Sequence, residues 1–320
     1  MDDLDEIAHA TGFSGVVRVG DETRAYGLAD RAHGIPNEPG TQFAIASGAK
    51  TLTALAVVAL VQDGVLELGT PARAHLGSDL PLVGDDVTIE HLLAHRSGIG
   101  DYLDEDIGVD IEAYVLPVPA QQLAATEDYL AVLEGHPRKF APGERFAYCN
   151  SGYVVLALLA ERASGIPFHE LVEQRVSGPA EMRDTAFLRS DELPGRAAIG
   201  YVGDRTNVFN LPVRGSGDGG IYTTLDDVFA FWRALYAGAI VAPDWVAEMT
   251  GPRSTSGNRR YGLGFWLHPD HDAVVVEGAD AGVSFRSTHR PSTNATYAVV
   301  SNTTSGAWPL ARHLEQTLIG

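Results

Sequence analysis

The sequence predicts an α/β fold of the α+β kind: an antiparallel sheet built from both termini and flanked by helices, plus an inserted, mostly helical domain. Three observations predict it. Strand-like alternation opens the chain, helical spacing dominates from about residue 47 to about residue 190, and alternation returns after residue 260. With 320 residues there is enough chain for two units, each burying its own core. The expected division is residues 1–70 with 215–320 for the sheet unit and 71–214 for the helical one, with the functional cleft between them.

The elements follow in order. "FSGVVRVGDETRAYGLADR" places two β-rich runs around a Gly20-Asp21 turn, the pattern of a hairpin, so strands are expected first. A helix from about Ser47, apolar on almost every side, is stopped by Gly64. "TPARAHL" and "DDVTIEHLLAHRSGIG" begin the helical stretch, and "NSGYVVLALLAERASG" is a helix closed by Gly165. "IPFHELVEQRV" keeps helical spacing. "GSGDGGIYTTLDDVFAFWRALYAG" is a glycine-rich loop leading into a helix that Thr224 is placed to cap. "YGLGFWLHP", "AVVVEG", "GVSFRSTHRP" and "ATYAVVSNT" read as strands, and "WPLARHLEQTLIG" as a last helix.

A formal charge of −19 repels phosphate backbones and anionic headgroups, so neither nucleic acid nor a membrane surface is an expected partner. The opening "MDDLDEIAHATG" has no basic or apolar leader segment, and the apolar run from Leu52 to Val61 is far shorter than a bilayer span. A cytoplasmic location is the expectation. The lone Cys149 excludes an internal disulfide.

Of the 23 basic residues other than histidine, only Lys50 and Lys139 are lysines. Lysine is therefore the exception in this chain. Arginine does not surrender its proton at useful pH, whereas a desolvated lysine does and then acts as a base. Ser47 lies one helical turn before Lys50, and helical side chains lean toward the N-terminus, so the amine leans onto the hydroxyl. A nucleophile, a base and the N–H groups of a helix start are the parts of acyl transfer. The bland alternative makes Ser47 a cap and lets Lys50 snorkel to solvent.

"FAIASGAKTLTAL" resembles the active-site helix of the serine β-lactamase and penicillin-binding protein superfamily, whose signature is S-x-x-K. Its class C β-lactamase branch, which also holds DD-peptidases, D-aminopeptidases and carboxylesterases, is the nearest match. "DVTIEHLLAHRSGIGDY", "FAPGERFAYCNSGYVVLALLAERASG" and "GSGDGGIYTTLDDVFAF" fit that branch in order, across residues 13 to 305. The resemblance implies that Tyr148 of "YCN" faces Ser47 as the phenol that shuttles its proton, and that Asn150 holds Lys50 and the substrate. It implies no cofactor and no metal.

The third motif departs from the family. Where a Lys-Thr-Gly or His-x-Gly triplet edges the site, this chain has Val276-Glu277-Gly278 in "VVVEGADAGVSF". The resemblance still implies an oxyanion hole from the N–H groups of Ser47 and Ala279, beside Gly278. The cation is lost, with Val276, Glu277 and Asp280 in its neighbourhood, unless Arg286 or another arginine reaches the same place. The expected function is a serine hydrolase cleaving a small ester or amide through an acyl-enzyme. A true class C-type β-lactamase is the alternative, and a non-catalytic ligand-binding homologue the alternative of another class.

Several residues tempt. Glu90, His91 and His95 put two histidines four apart, but the order is not H-E-x-x-H and no third ligand is apparent, so a structural role is expected, with His95 near a helix C-terminus. Cys149 reads as a small buried filler. Asp218 sits in a glycine-rich turn able to line the cleft, and Tyr102, Trp266 and Phe285 are candidate pocket walls.

Overall fold

The structure, a computed structural model, describes residues 2–320. Its main sheet has eight strands: β1 (Gly15–Val19), β2 (Glu22–Tyr26), β3 (Ser254–Ser256), β4 (Arg259–Tyr261), β5 (Trp266–Leu267), β6 (Val274–Asp280), β7 (Val283–Arg290) and β8 (Ala295–Ser301). They run in the order β2-β1-β8-β7-β6-β5-β4-β3, every pair antiparallel. The two ends of the chain meet where β1 pairs with β8, Gly15 opposite Ser301 and Val19 opposite Tyr297. Only glycine fits at position 15, because a Cβ there would lie 2.0 Å from the carbonyl oxygen of Val300.

Strand alternation sorts the side chains into two layers. Val17, Val299 and Tyr297 face a cluster with Leu4, Ala8 and Leu310, whereas Val16, Val300 and Ala298 face the larger core. The first layer belongs to α1 (Asp2–Thr11) and α5 (Ala307–Leu314). Strands therefore do not come first: the acidic opening forms a helix whose apolar residues Leu4 and Ala8 pack against the sheet.

The larger core holds α2 (Ala49–Gln62), every residue of which from Ala49 to Leu60 is buried. It lies against α3 (Asn150–Ser164), which Gly165 closes in the left-handed conformation at φ 70°. α4 (Leu225–Tyr236) covers β1 and β8 and is capped by Thr224, whose side chain accepts the Asp227 N–H at 3.2 Å. Between α2 and α3 the chain is less helical than its spacing predicts. Short helices at Arg73–Leu76 and Ile89–Leu93 are followed by single turns at Glu105–Ile107 and Ala120–Gln122 and by a 3₁₀ turn at Thr126–Tyr129 that runs on into a short helix at Leu130–Leu133. Among the described residues no helix is long and apolar enough to cross a membrane.

Because β5 is only two residues long, it covers β6 no further than Val275. The outer edge of β6 from residue 276 to 280 is left to face the turn before α2.

Candidate active site

That turn carries Ser47. Ala46 adopts φ 46°, unusual for a residue with a Cβ, and the chain passes through a 3₁₀ turn at Ala46–Gly48 before α2 begins. Neither cap position uses a side-chain hydrogen bond, so Ser47 is not a cap. Lys50 does not snorkel either, being 2% exposed. Its Nζ donates to Ser47 Oγ at 2.9 Å, Asn150 Oδ1 at 2.8 Å and the Asp218 carbonyl at 2.7 Å.

This arrangement suits either protonation state. Carbonyl oxygens only accept, so two N–H groups of Lys50 always point at Asn150 and Asp218. The third position faces Ser47, as an N–H when the amine is charged and as a lone pair accepting the Ser47 O–H when it is neutral. Burial lowers the Lys50 pKa, and Asp218, Glu105, Asp101 and Asp280 oppose that shift. Asn150 cannot turn its oxygen elsewhere, since its Nδ2 donates to the Leu103 carbonyl at 2.9 Å and Glu105 Oε1 at 3.3 Å.

Asn150 opens α3, and Asp101 fixes that opening by accepting the N–H groups of Asn150 and Ser151 at 2.8 Å each. Burial pushes the Asp101 carboxyl up to about 6. Two positions earlier, Tyr148 has its ring centroid 5.0 Å from Lys50 Nζ and 6.2 Å from that of Trp266. Burial raises its phenol well above the usual range, with the Ser47 hydroxyl pulling the other way. Between them Cys149 is a buried filler, its Sγ accepting the Gly152 N–H at 3.3 Å.

His95 lies under this motif. Its Nδ1 accepts the Cys149 N–H at 3.1 Å and its ring lies 4.3 Å from that of Tyr148, centroid to centroid. Burial, with Lys50 nearby, holds it far below the usual histidine range, so it is a neutral brace and not a cation at a helix end. His91 instead accepts the Thr88 N–H at 3.3 Å through Nδ1, and Glu90 pairs with Arg253 at 3.5 Å. The two histidines and the glutamate share no site.

Gly278 brings β6 against the turn that carries Ser47. A Cβ on it would lie 2.3 Å from the Ile45 carbonyl oxygen and 2.6 Å from the Ser47 nitrogen, a spacing no side chain tolerates. Val276 is not a pocket residue: it is 5% exposed and belongs to the main core. Phe285 is likewise core, at 1% exposure, and fills the space behind Gly48. Glu277 does face the cleft, gripped by Arg286 from β7 through Nε at 2.9 Å and by Arg259 from β4. The guanidinium of Arg259 stacks 4.0 Å above the Trp266 ring. Guanidinium groups thus enter the neighbourhood where Val276 offers no cation. Sequence reading named Arg286 and missed Arg259, for which spacing holds no signal.

Two cavities meet at Ser47. One, of about 660 Å³, is lined by Tyr148, Trp266, Glu277, Arg259 and Arg286, with Gly278 at its edge. The other, of about 310 Å³, is lined by Tyr102, Asn150, Asp218, Asp280 and aliphatic side chains. Tyr102 donates its hydroxyl proton to Asp218. Ser47, Glu105 and Ala279 belong to both.

Three comparisons bear on this arrangement. The Beta-lactamase family model matches residues 2–319. The crystal structure of a penicillin binding protein from Bacillus halodurans superposes with a TM-score of 0.91 at 35% identity, covering 98% of this chain and 99% of that one. Esterase EstB of Burkholderia gladioli is 30% identical over 266 residues, 70% of this chain and 64% of the relative. A D-aminopeptidase of Cereibacter sphaeroides is 32% identical over 232 residues, 69% of this chain and 42% of the relative. The chain therefore spans less than two thirds of the length of these two curated relatives.

Proposed function

This chain belongs to the beta-lactamase family, and on that premise we propose that it is a serine hydrolase cleaving a small ester or amide through an acyl-enzyme. The observation that carries the proposal is the Lys50 amine, buried in an apolar helix and 2.9 Å from Ser47 Oγ. Ser47 Oγ attacks the carbonyl carbon while its proton passes to neutral Lys50. The N–H groups of Ser47 and Ala279 take the developing oxyanion. Tyr148, kept protonated by burial, hands its proton to the leaving oxygen or nitrogen and recovers one from Lys50. Water then attacks the acyl carbon as it gives a proton to neutral Lys50, and Lys50 returns that proton to Ser47 Oγ as the carbon–Oγ bond breaks and the acid leaves. The catalytic set is Ser47, Lys50 and Tyr148, with Asn150, Gly278 and Ala279 supporting them.

We assign the cleft to the seam between residues 71–214 and the sheet unit of residues 1–70 and 215–320. An ester or simple amide is favoured over a β-lactam because Glu277 already engages both guanidinium groups nearest the strand. A purely binding role has no use for a desolvated amine aimed at a hydroxyl. Intact mass after incubation with a fluorophosphonate is the test. One adduct on the parent, absent from Ser47→Ala, is expected; an adduct that survives in Ser47→Ala removes Ser47 from the mechanism. A kcat/KM for nitrocefin far above that for p-nitrophenyl acetate would replace the esterase reading with the β-lactamase one.

A further inference from the structure

The other lysine of this chain takes no part in the steps above, yet it reaches toward the same site. Lys139 lies in the loop that follows the short helix at Leu130–Leu133. Its backbone N–H donates to the Gly98 carbonyl at 2.8 Å. Only glycine fits at position 98, at φ 66°, because a Cβ there would lie 2.2 Å from the Phe140 carbonyl oxygen. The loop is thus pinned just before Asp101, and its side chain returns to the same stretch just after it. Lys139 Nζ donates to Asp104 Oδ1 at 2.8 Å and to Asp106 Oδ2 at 3.4 Å.

The turn at Glu105–Ile107 needs such a tie. None of its residues is buried, and Ile107 is 76% exposed, so apolar packing does not hold it in place. Asp104, Glu105 and Asp106 are three carboxylates in a row, which repel one another. Among the described residues two side chains donate hydrogen bonds to residues 103–106: Lys139, to Asp104 and Asp106, and Asn150, to the Leu103 carbonyl and Glu105. The Lys139 pair with Asp104 is sheltered, with side chains 18% and 21% exposed. Burial works to lower the Lys139 pKa, yet the Asp104 hydrogen bond and the charges of Asp104 and Asp106 raise it.

We propose that Lys139 is a positioning residue for the reaction at Ser47: by gathering Asp104 and Asp106 it holds Leu103 and Glu105 against Asn150 Nδ2, and so keeps Asn150 Oδ1 turned toward Lys50. The proposal rests on the serine-hydrolase reading of that site. Without the ammonium the three carboxylates part and Asn150 Nδ2 loses its acceptors. The amide is then free to rotate and to present a donor to an amine that is itself a donor. Glu105 recedes at the same time, and it is one of the carboxylates that oppose the lowering of the Lys50 pKa. Asp218, Asp101 and Asp280, the others, lie outside the turn.

The test follows fluorophosphonate labelling of Ser47 by intact mass across a pH series, in the parent, Lys139→Met and Lys139→Arg. The rate constant of the fraction that labels does not depend on how much of the protein has folded. Lys139→Met is expected to label about tenfold more slowly, with the rising limb of its pH profile about half a pH unit or more below the parent's. Lys139→Arg keeps the charge and should recover most of the rate and the parental limb. A merely structural prop would shrink the labelled fraction and leave rate and limb unmoved. Loss of a distant cation with the turn undisturbed would move the limb up. Either of these results, or an arginine variant no better than the methionine one, would overturn the inference. A parent that never labels would instead overturn the hydrolase reading. Hydrogen exchange of residues 100–108 tests the tie without activity: it should be faster in Lys139→Met, and unchanged exchange would also overturn the inference.

Discussion

Lys50 and Glu277 are both ionisable side chains beside the cavities that meet at Ser47, and the chain treats them in opposite ways. Lys50 is met by three neutral oxygens, from Ser47, Asn150 and the Asp218 backbone. Glu277 is met by the guanidinium groups of Arg259 and Arg286. Neutral partners leave the Lys50 proton negotiable, and its pKa falls with burial. Charged partners fix the Glu277 carboxylate, whose pKa falls despite burial. A buried charge held by dipoles is available for chemistry, whereas one held by opposite charges is part of the wall.

The sharpest way to break this contrast is at the lysine. Lys50→Met keeps the stem and removes the amine, and kcat/KM for a p-nitrophenyl ester is expected to fall about 10³–10⁴-fold. Lys50→Arg should do no better, because a guanidinium stays charged. An arginine variant within tenfold of the parent would show that charge, not proton transfer, is what the position needs.

Gly278→Ala tests whether the wall merely borders the site or holds it in register. Its Cβ would stand 2.3 Å from the Ile45 carbonyl and 2.6 Å from the Ser47 nitrogen, forcing β6 away from the turn that carries Ser47. Losing one oxyanion donor through that displacement costs about 10²-fold in kcat. Single-turnover acylation rates measure it, and a near-parental rate would remove β6 from the oxyanion hole.

At the wall itself, Glu277→Ala leaves two arginines facing each other without their counter-ion. Unfolding in urea should show a loss of roughly 2–3 kcal/mol, with esterase activity changed far less than by Lys50→Met. A loss confined to activity would make Glu277 a participant after all.

Titration sharpens the contrast further. With Lys50 as the proposed base its active form is neutral, so log kcat/KM should rise about one unit per pH unit and level off below the ordinary lysine value. The raised phenol of Tyr148 adds no falling limb there. Stability moves the other way. The Asp101 and Asp280 carboxyls, raised to about 6 and about 7, contribute stability that is full below their unfolded values and lost as pH rises through those two points. The lowered Glu277 contributes stability present above its unfolded value and lost as pH falls through its folded one. The melting temperature should therefore be higher near pH 5 than near pH 8 by roughly 2–4 °C. A flat profile would indicate that those carboxyls are solvated or that Lys50, whose lowered pKa makes stability rise with pH, offsets them.

The smallest effect is away from the site. Thr224→Ala removes the cap of α4 and should cost about 1 kcal/mol without changing KM.

The parts of this arrangement legible in the sequence are those set by short spacing. Ser47 and Lys50 are one helical turn apart, and the hairpin at Gly20-Asp21, the stop at Gly165 and the cap at Thr224 are equally local. Asp101 and Arg259 were illegible because their partners lie 49 and 18 residues away, with nothing periodic to link them. Val276 misled because motif position was read as orientation. On a strand, neighbours face opposite ways, and Val276 faces the core while Glu277 faces the cleft. The opening helix was hidden by its acidic composition, although Leu4 and Ala8 stand at helical spacing.

The brevity of β5 has a consequence for what can reach Ser47. Ordinarily an uncovered strand edge invites any other strand to pair with it, including one from another molecule's sheet. Here the open stretch from residue 276 to 280 runs along the floor between two cavities. Its free backbone groups lie against the turn that carries Ser47, so anything that pairs with them has to enter the cleft. The one uncovered length of this strand is thus spent inside the molecule, bordering both cavities, and is not an outer margin offered to another sheet.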